Sequence, residues 1–278
     1  MTNNINSPIF LATVFKSGTK LLEFLLAQLT GMKSYEPTLS ATPDYGSADP
    51  IQFAQGCFYT WHNVPTPQVK EKLIQSQAKP IFLIRNIYDL LVSQYFHFAA
   101  DVDAEIGCST NTRAYFESMS QSEGLSLVIC GATSERFDWT GYGFYLHQIQ
   151  EMLRFSTEYP CLIVNYERLV LNKPTELLRI AEFLEIKPSD EQIAALLQES
   201  SLESMRNARA KTYGTGMHFR KGSPGDHVNV LAPFHYDMIS HVKRTCAPDL
   251  DDLCRSLGYE DVTETVKCNA GKSNLRQP

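Results

Sequence analysis

The run Pro8 to Phe15 (PIFLATVF) is continuously apolar and has the length of a buried strand. Lys16-Ser17-Gly18-Thr19-Lys20 follow directly, and then Leu21-Leu22-Glu23-Phe24-Leu25-Leu26, whose apolar repeat is that of a helix. A strand that becomes a helix within five residues commits the chain to an α/β unit with a helix N-terminus opening at the strand's end. Backbone N–H groups are unpaired there and the positive end of the helix dipole points outward. An anionic group, most often a phosphate, is the natural guest. The order of residues is not that of a nucleotide triphosphatase loop, G-x-x-x-x-G-K-[ST], because the lysine comes first and no Gly-rich stretch precedes it. Taken alone, the segment also fits a well-capped helix with a surface lysine.

The same alternation continues. Strand signals at 8–15, 57–61 and 80–84 are interleaved with helix signals at 19–30, closed by Gly31, at 67–77 and at 87–98. Such spacing predicts parallel βαβ units with right-handed crossovers. Pro67 and Pro80 stand at element starts, where a missing N–H is tolerated. Residues 32–56, rich in Ser, Thr, Pro, Asp and Gly, read as a loop. Residues 100–138 read as a lid or acceptor-side insert. Further helices are expected at 142–155, 174–184, 189–199 and 236–257, with a strand at 161–165 and irregular chain at 206–235. The expected organisation is one domain over 1–261 and a polar, frayed tail over 262–278.

At 278 residues the chain can bury a large core without staples. Its net charge of -6 argues against general nucleic-acid affinity, so an anionic ligand must be drawn by a local basic cluster. Lys16, Lys20, Arg85, Arg220 and Lys221 could supply one. The seven cysteines are an odd number without C-x-x-C spacing, which favours free thiols over disulfides or a zinc site. Met1 to Ser7 carry no apolar signal region and no run reaches transmembrane length, so the expected location is cytoplasmic, with no membrane partner.

Three further segments narrow the reading. Ile81-Phe82-Leu83-Ile84-Arg85-Asn86 is a strand ending in an arginine, followed by a helix that carries Ser93. Asn165-Tyr166-Glu167-Arg168-Leu169 closes the strand from Cys161, and Arg220-Lys221-Gly222-Ser223-Pro224-Gly225-Asp226 lies in a polar loop. With the first segment these resemble, in order, the motifs Y-P-K-S-G-T-T-W, R-N-P-x-D-x-x-V-S-x-Y-x-F, Y-E-D and R-K-G-x-x-G-D-W-K-N of the cytosolic sulfotransferases. That family uses 3′-phosphoadenosine 5′-phosphosulfate as donor. The resemblance runs from about residue 8 to about residue 260.

The resemblance implies a three-layer, P-loop-like fold with a central parallel sheet flanked by helices. It implies that Lys16 meets the bridging oxygen of the donor, while Ser17, Gly18, Thr19 and Lys20 hold the 5′-phosphate. The family has Thr where Lys20 stands, and Lys20 could equally point to solvent. Arg85 and Ser93 align with the residues that bind the 3′-phosphate; by itself, Arg85 could instead pair with Asp89. Arg220, Lys221 and Gly222 would close over the same phosphate. Tyr166 matches the tyrosine that contacts adenine. Two aromatic partners of the base are missing, since Leu21 and Leu202 stand where the family has Trp and Phe; Ser200 and Ser201 keep the hydroxyls beside Leu202. Thr60-Trp61-His62-Asn63-Val64-Pro65 is similar to the family's K-T-H-L-P, making His62 the candidate general base, with a structural histidine as the alternative.

His227 and Val228 replace the Trp and Lys of G-D-W-K, and the family's dimer motif is not recognisable. The expected reaction moves a sulfonate to a hydroxyl or nitrogen of a small-molecule acceptor and needs no metal, because the donor already carries its leaving group. Within the family the chain is similar to cyanobacterial enzymes that tailor saxitoxin. A guanidinium acceptor of that kind would want acidic groups, for which Asp101, Asp103 and Glu105 are candidates, or they form a solvated acidic loop. The competing readings are a kinase-type phosphotransferase and a non-catalytic nucleotide-binding module.

Overall fold

The computed structural model describes residues 7–35, 56–62, 67–100, 112–134, 137–213 and 220–265. Its strands are β1 (Ile9–Thr13), β2 (Lys33–Tyr35), β3 (Cys57–Trp61), β4 (Lys79–Ile84), β5 (Ala132–Thr133), β6 (Asp138–Trp139) and β7 (Leu162–Asn165). The first six helices are α1 (Thr19–Thr30), α2 (Pro67–Gln75), α3 (Ile87–Ala99), α4 (Thr112–Glu117), α5 (Gln121–Cys130) and α6 (Tyr142–Glu158). The remainder are α7 (Tyr166–Leu171), α8 (Lys173–Phe183), α9 (Asp190–Glu199), α10 (Leu202–Tyr213), α11 (Pro233–Cys246) and α12 (Leu250–Leu257).

Five strands form one sheet in the order β2-β3-β1-β4-β7, and every pairing in it is parallel. The strands are buried on both faces, which is why they read as unbroken apolar runs and not as alternating ones. In β1, Ile9 and Leu11 pack with Leu22, Leu25 and Leu26 of α1, while Phe10 and Ala12 face the opposite core with Leu90 and Leu91 of α3. Helices α8 and α9 share the first face; α5, α6 and α11 share the second. This is the three-layer arrangement that the sequence implied.

The crossovers change direction about β1: the chain next builds β2 and β3 on one side of it, then β4 and β7 on the other. In an open α/β sheet the crevice at such a reversal, beyond the carboxyl ends of the strands, is where ligands bind. Residues 14–19, His62, Arg85 and Tyr166 follow the carboxyl ends of β1, β3, β4 and β7, so four strands deliver their next residues to one place.

Several expectations are corrected. Residues 206–213 belong to α10, not to an irregular stretch. The helix starts where Ser204 N–H donates to Ser201 Oγ (3.1 Å), and its sequence LESMRNARAKTY is composed largely of good helix formers. The helix expected over 236–257 is two helices, α11 and α12, because Pro248 cannot continue a helix and restricts Ala247 before it. Lys33–Tyr35, placed in a loop, form the exposed edge strand β2. The tail expected to fray from 262 is held further: Val262 is buried, and Asn86 Nδ2 donates to the carbonyls of Asp261 (2.8 Å) and Glu264 (2.9 Å). Within the expected 100–138 insert, Phe116 of α4 and Leu125, Val128 and Ile129 of α5 are core residues. Asp101, Asp103 and Glu105 lie outside the described residues. The five described cysteines are free thiols; Cys57 and Cys161 are half-buried and Cys254 is buried.

Candidate active site

The turn after β1 is built so that its carbonyls are used up inside the protein. Val14 O accepts from Ser17 N (2.9 Å) and Ser17 Oγ (2.6 Å), Phe15 O accepts from Gln94 Nε2 (3.2 Å), and Lys16 O accepts from Arg85 Nη1 (2.9 Å). With these oxygens turned inward, Lys16 adopts a left-handed backbone, φ 71, and Gly18 one of φ 107. No side chain caps the N-terminus of α1. The helix therefore opens with its own donors and dipole unneutralised by a cap, facing a cleft of about 740 Å³.

Gly18 has a second reason to be glycine. A Cβ there would lie 2.4 Å from Cδ2 of the Tyr166 ring. Tyr166 is thus packed directly on the turn. The Arg85 guanidinium lies 4.4 Å from its ring centroid and its hydroxyl donates to Gly222 O (3.4 Å). One aromatic ring joins the turn after β1, the arginine after β4 and the loop at 220–226.

The cleft lining includes Lys16, Gly18, Thr19, Lys20, His62, Arg85, Ser93, Tyr166, Ser200, Leu202, Arg220, Lys221 and Gly222. Every site residue expected from the sequence is there except Ser17. Ser17 is fully buried, with both its N–H and its hydroxyl on Val14 O, so its side chain shapes the turn and does not face the cleft. Lys20 lies at the rim: 40% exposed, it pairs with Glu23 at 3.0 Å.

Arg85 is 8% exposed and does not pair with Asp89. Its nearest carboxylate is Glu167, Nε to Oε1 at 3.9 Å, and the buried Nε has no hydrogen-bond partner among the described residues. Burial pushes the Glu167 carboxyl up to about 7, opposed by the Arg85 charge and by the Asn86 N–H. Asp89 serves the loop instead: its carboxylate accepts from Gly225 N (2.5 Å), His227 N (3.0 Å) and His227 Nδ1 (3.0 Å). Burial alone would raise this carboxyl, but the three donors and the nearby Arg85 hold it below its usual range. Asp226 in turn pairs with Arg220 and with Lys221 (2.5 Å), setting both cations at the cleft wall.

His62 Nδ1 lies 2.9 Å from Thr13 Oγ1, which is 2.9 Å from Thr19 Oγ1, so a fully buried hydroxyl fixes the imidazole to the helix start. Gln148 Nε2 donates to His62 O (2.7 Å) and fixes its backbone.

Sequence reasoning missed four contributors. Thr13 was read only as part of a strand. His97 lines the cleft at 4% exposure, with Nδ1 3.4 Å from Lys16 Nζ. A signal for it existed, since the thirteenth position of the second motif is Phe in the family and His97 here. Lys173 and Arg206 also line the cleft. The Lys173 ammonium, its pKa lowered by burial, donates to Ser200 O (2.7 Å) and Ser200 Oγ (3.0 Å); Arg206 donates to Arg220 O. Among the described residues, seven Lys and Arg and no Asp or Glu line the cleft, in a chain of net charge -6. Among the described residues no group of three or more His, Cys, Asp or Glu is placed to hold a metal ion, and no helix is long and apolar enough to cross a membrane.

The sulfotransferase domain family matches residues 6–254. The chain belongs to the sulfotransferase family. It is similar to cytosolic sulfotransferase 15 of Arabidopsis thaliana, 23% identical over 280 residues that cover 85% of this chain and 71% of that protein. It is also similar to the amine sulfotransferase of Oryctolagus cuniculus, 22% identical over 260 residues that cover 83% and 78% respectively. Its fold matches a crystal structure of mouse sulfotransferase SULT7A1 complexed with PAP, with a TM-score of 0.66 at 18% identity over 91% of this chain and 88% of that one. The protein is therefore a sulfotransferase.

Proposed function

We propose that the cleft holds 3′-phosphoadenosine 5′-phosphosulfate with its 5′-phosphate on the N-terminus of α1 and its 3′-phosphate against Arg85, Ser93, Arg220, Lys221 and Gly222. The observation that carries this reading is the convergence of an uncapped helix start and seven Lys and Arg on one cleft whose described lining holds no carboxylate. Helix termini and forked guanidinium groups are the fittest donors for phosphate oxygens. The buried, unpartnered Nε of Arg85 is what an anion would satisfy. Adenine would enter between Tyr166, Leu21, Leu202 and Ser200, an aliphatic slot in place of a stacked aromatic one.

In the transfer, the bond between sulfur and the bridging oxygen breaks and its electron pair stays on the 5′-phosphate. Lys16 offsets that growing charge. The acceptor atom forms the new bond to sulfur and gives its proton to His62. The base-ready imidazole is the tautomer in which Nδ1–H donates to Thr13 Oγ1 and Nε2 carries the lone pair. Lys16→Ala should lower kcat by about 10²–10³-fold, the effect of deleting one preorganised charge-stabilising group. Adenosine 3′,5′-bisphosphate binding should persist by calorimetry. Undiminished turnover with a working acceptor would remove Lys16 from the leaving-group role.

The acceptor is a small molecule that approaches over Phe15, Phe96 and His97. A guanidinium alkaloid of the saxitoxin type is the acceptor implied by the sequence resemblance. A neutral acceptor is the second reading, favoured by the positive lining of the described cleft. A panel of guanidinium and neutral phenolic acceptors, read as the mass gain of one sulfonate, separates the two.

A further inference from the structure

The proposed leaving-group lysine touches a histidine that the family's motif does not have. Along α3, Ser93, Phe96, His97 and Ala100 line the cleft at the i, i+3, i+4, i+7 spacing of a single helix face. His97 is the polar, nearly buried member at the middle of that face, 4% exposed. Its ring is held edge-on by Phe15 (centroids 4.9 Å, planes 85°) and by Phe98 (5.7 Å, 74°). In that orientation Nδ1 sits 3.4 Å from Lys16 Nζ, while the same ammonium lies 5.9 Å from the Phe15 ring centroid.

From this geometry we infer that His97 is a positioning residue for sulfuryl transfer, accepting one N–H of Lys16 so that the ammonium is held ready for the bridging oxygen. The inference rests on the sulfotransferase reading of Lys16. An ammonium has three N–H bonds and no acceptor, so it can donate to His97 and to an anionic donor at the same time. Nδ1 can accept only when it is unprotonated, which puts the ring proton on Nε2. The lysine backbone is already fixed, in a left-handed conformation with its carbonyl on Arg85. An acceptor at the tip of its long side chain narrows the rotamers open to the ammonium before the donor arrives. Phenylalanine, which the family motif has at this position, can give an edge or a face to Phe15 but cannot accept an N–H bond.

The test uses two side chains of one shape, of which one can accept. His97→Asn keeps an acceptor two bonds from Cβ, as Nδ1 is; His97→Leu does not. His97→Leu should lower kcat about 10-fold, the effect of losing a charge-assisted hydrogen bond, and His97→Asn should recover most of it. Affinity for adenosine 3′,5′-bisphosphate should change by less than about 2-fold in both, and KM for the acceptor should move less than kcat. In a Lys16→Ala background the His97→Leu change should have no further effect on kcat, because the group it positions is gone. The inference is overturned by wild-type kcat in His97→Leu, by an equal loss in both backgrounds, or by folded Asn and Leu variants that behave alike. If His97→Leu does not fold, His97→Phe takes its place in the same cycle. A wild-type protein that binds the bisphosphate but turns over no acceptor would overturn the sulfotransferase reading itself, whereas an active wild type with unchanged variants would overturn only the role of His97.

Discussion

At the scale of single residues, the site depends on small contacts that orient larger groups. Thr13 shows this most simply. Its hydroxyl, fully buried at the end of β1, stands between His62 Nδ1 and Thr19 Oγ1. Thr13→Val keeps the shape and removes both hydrogen bonds. A hydrogen bond of this kind contributes about 1 kcal/mol, so kcat should fall about fivefold while bisphosphate affinity, measured by calorimetry, stays put. None of this was legible in the sequence, where Thr13 is one residue in an apolar run. The site residues that were legible, Lys16, Arg85, Tyr166 and Arg220 among them, each carry a distinctive chemistry at an element boundary. Thr13, His97, Lys173 and Arg206 act through partners far away in the chain, and a residue's neighbours across the sheet are invisible in linear order. Ser17 is the converse: its type fits a phosphate site, but Val14 O takes its hydroxyl.

At the scale of elements, α3 and the loop at 220–226 form a pair. Asn86 caps the helix through Oδ1, accepting from Tyr88 N (3.0 Å) and Asp89 N (3.2 Å). One turn in, Asp89 collects the three N–H donors of Gly225 and His227 and so fastens the loop to the helix start. Asp89→Asn removes the negative charge and can no longer accept from every donor. It should weaken bisphosphate binding about 10-fold or more, as buried hydrogen bonds to a charged group contribute about 1.5–3 kcal/mol each. The sign with pH follows the same contact. The Asp89 carboxyl is held below its usual range, so its contribution to stability is present above the ordinary carboxylate value of 3.8 and is lost as pH falls through the lower folded value. Acid unfolding of Asp89→Asn should therefore lack that component of the wild-type transition. Strands and the early helices were readable because apolar runs and periodic faces are local signals. The α10 helix was hidden by glycines that follow it, and the break between α11 and α12 by an apolar pattern that continues past Pro248.

At the scale of the whole molecule, a negatively charged chain keeps a positive cleft at the reversal point of its sheet. Glu167, beside the Arg85 guanidinium, is one of the buried acids of that region. Its pKa is raised from 4.5 to about 7, so the folded protein holds its proton more tightly than the unfolded chain does. The resulting stability is fully present below pH 4.5 and is lost as pH rises through about 7. The unfolding free energy from urea titration between those values should decline with pH by at most about 1.4 kcal/mol per unit from this one group. Glu167→Gln, which cannot ionise, should flatten the decline; an unchanged slope would show that another group is responsible. Steering belongs to this scale too. A cleft of one sign within a body of the other draws an anionic donor from solution, and bisphosphate association should slow as salt is added.

Helix α3 carries Asp89, which fastens the donor-side loop, and, two turns later, His97 on the wall that faces the acceptor. In the proposed reading, a single stiff rod carries residues for both the donor and the acceptor. Any tilt that one of them imposes is felt by the other, and thermodynamic linkage makes the trade even: whatever factor the first arrival adds to or takes from the second, it receives back.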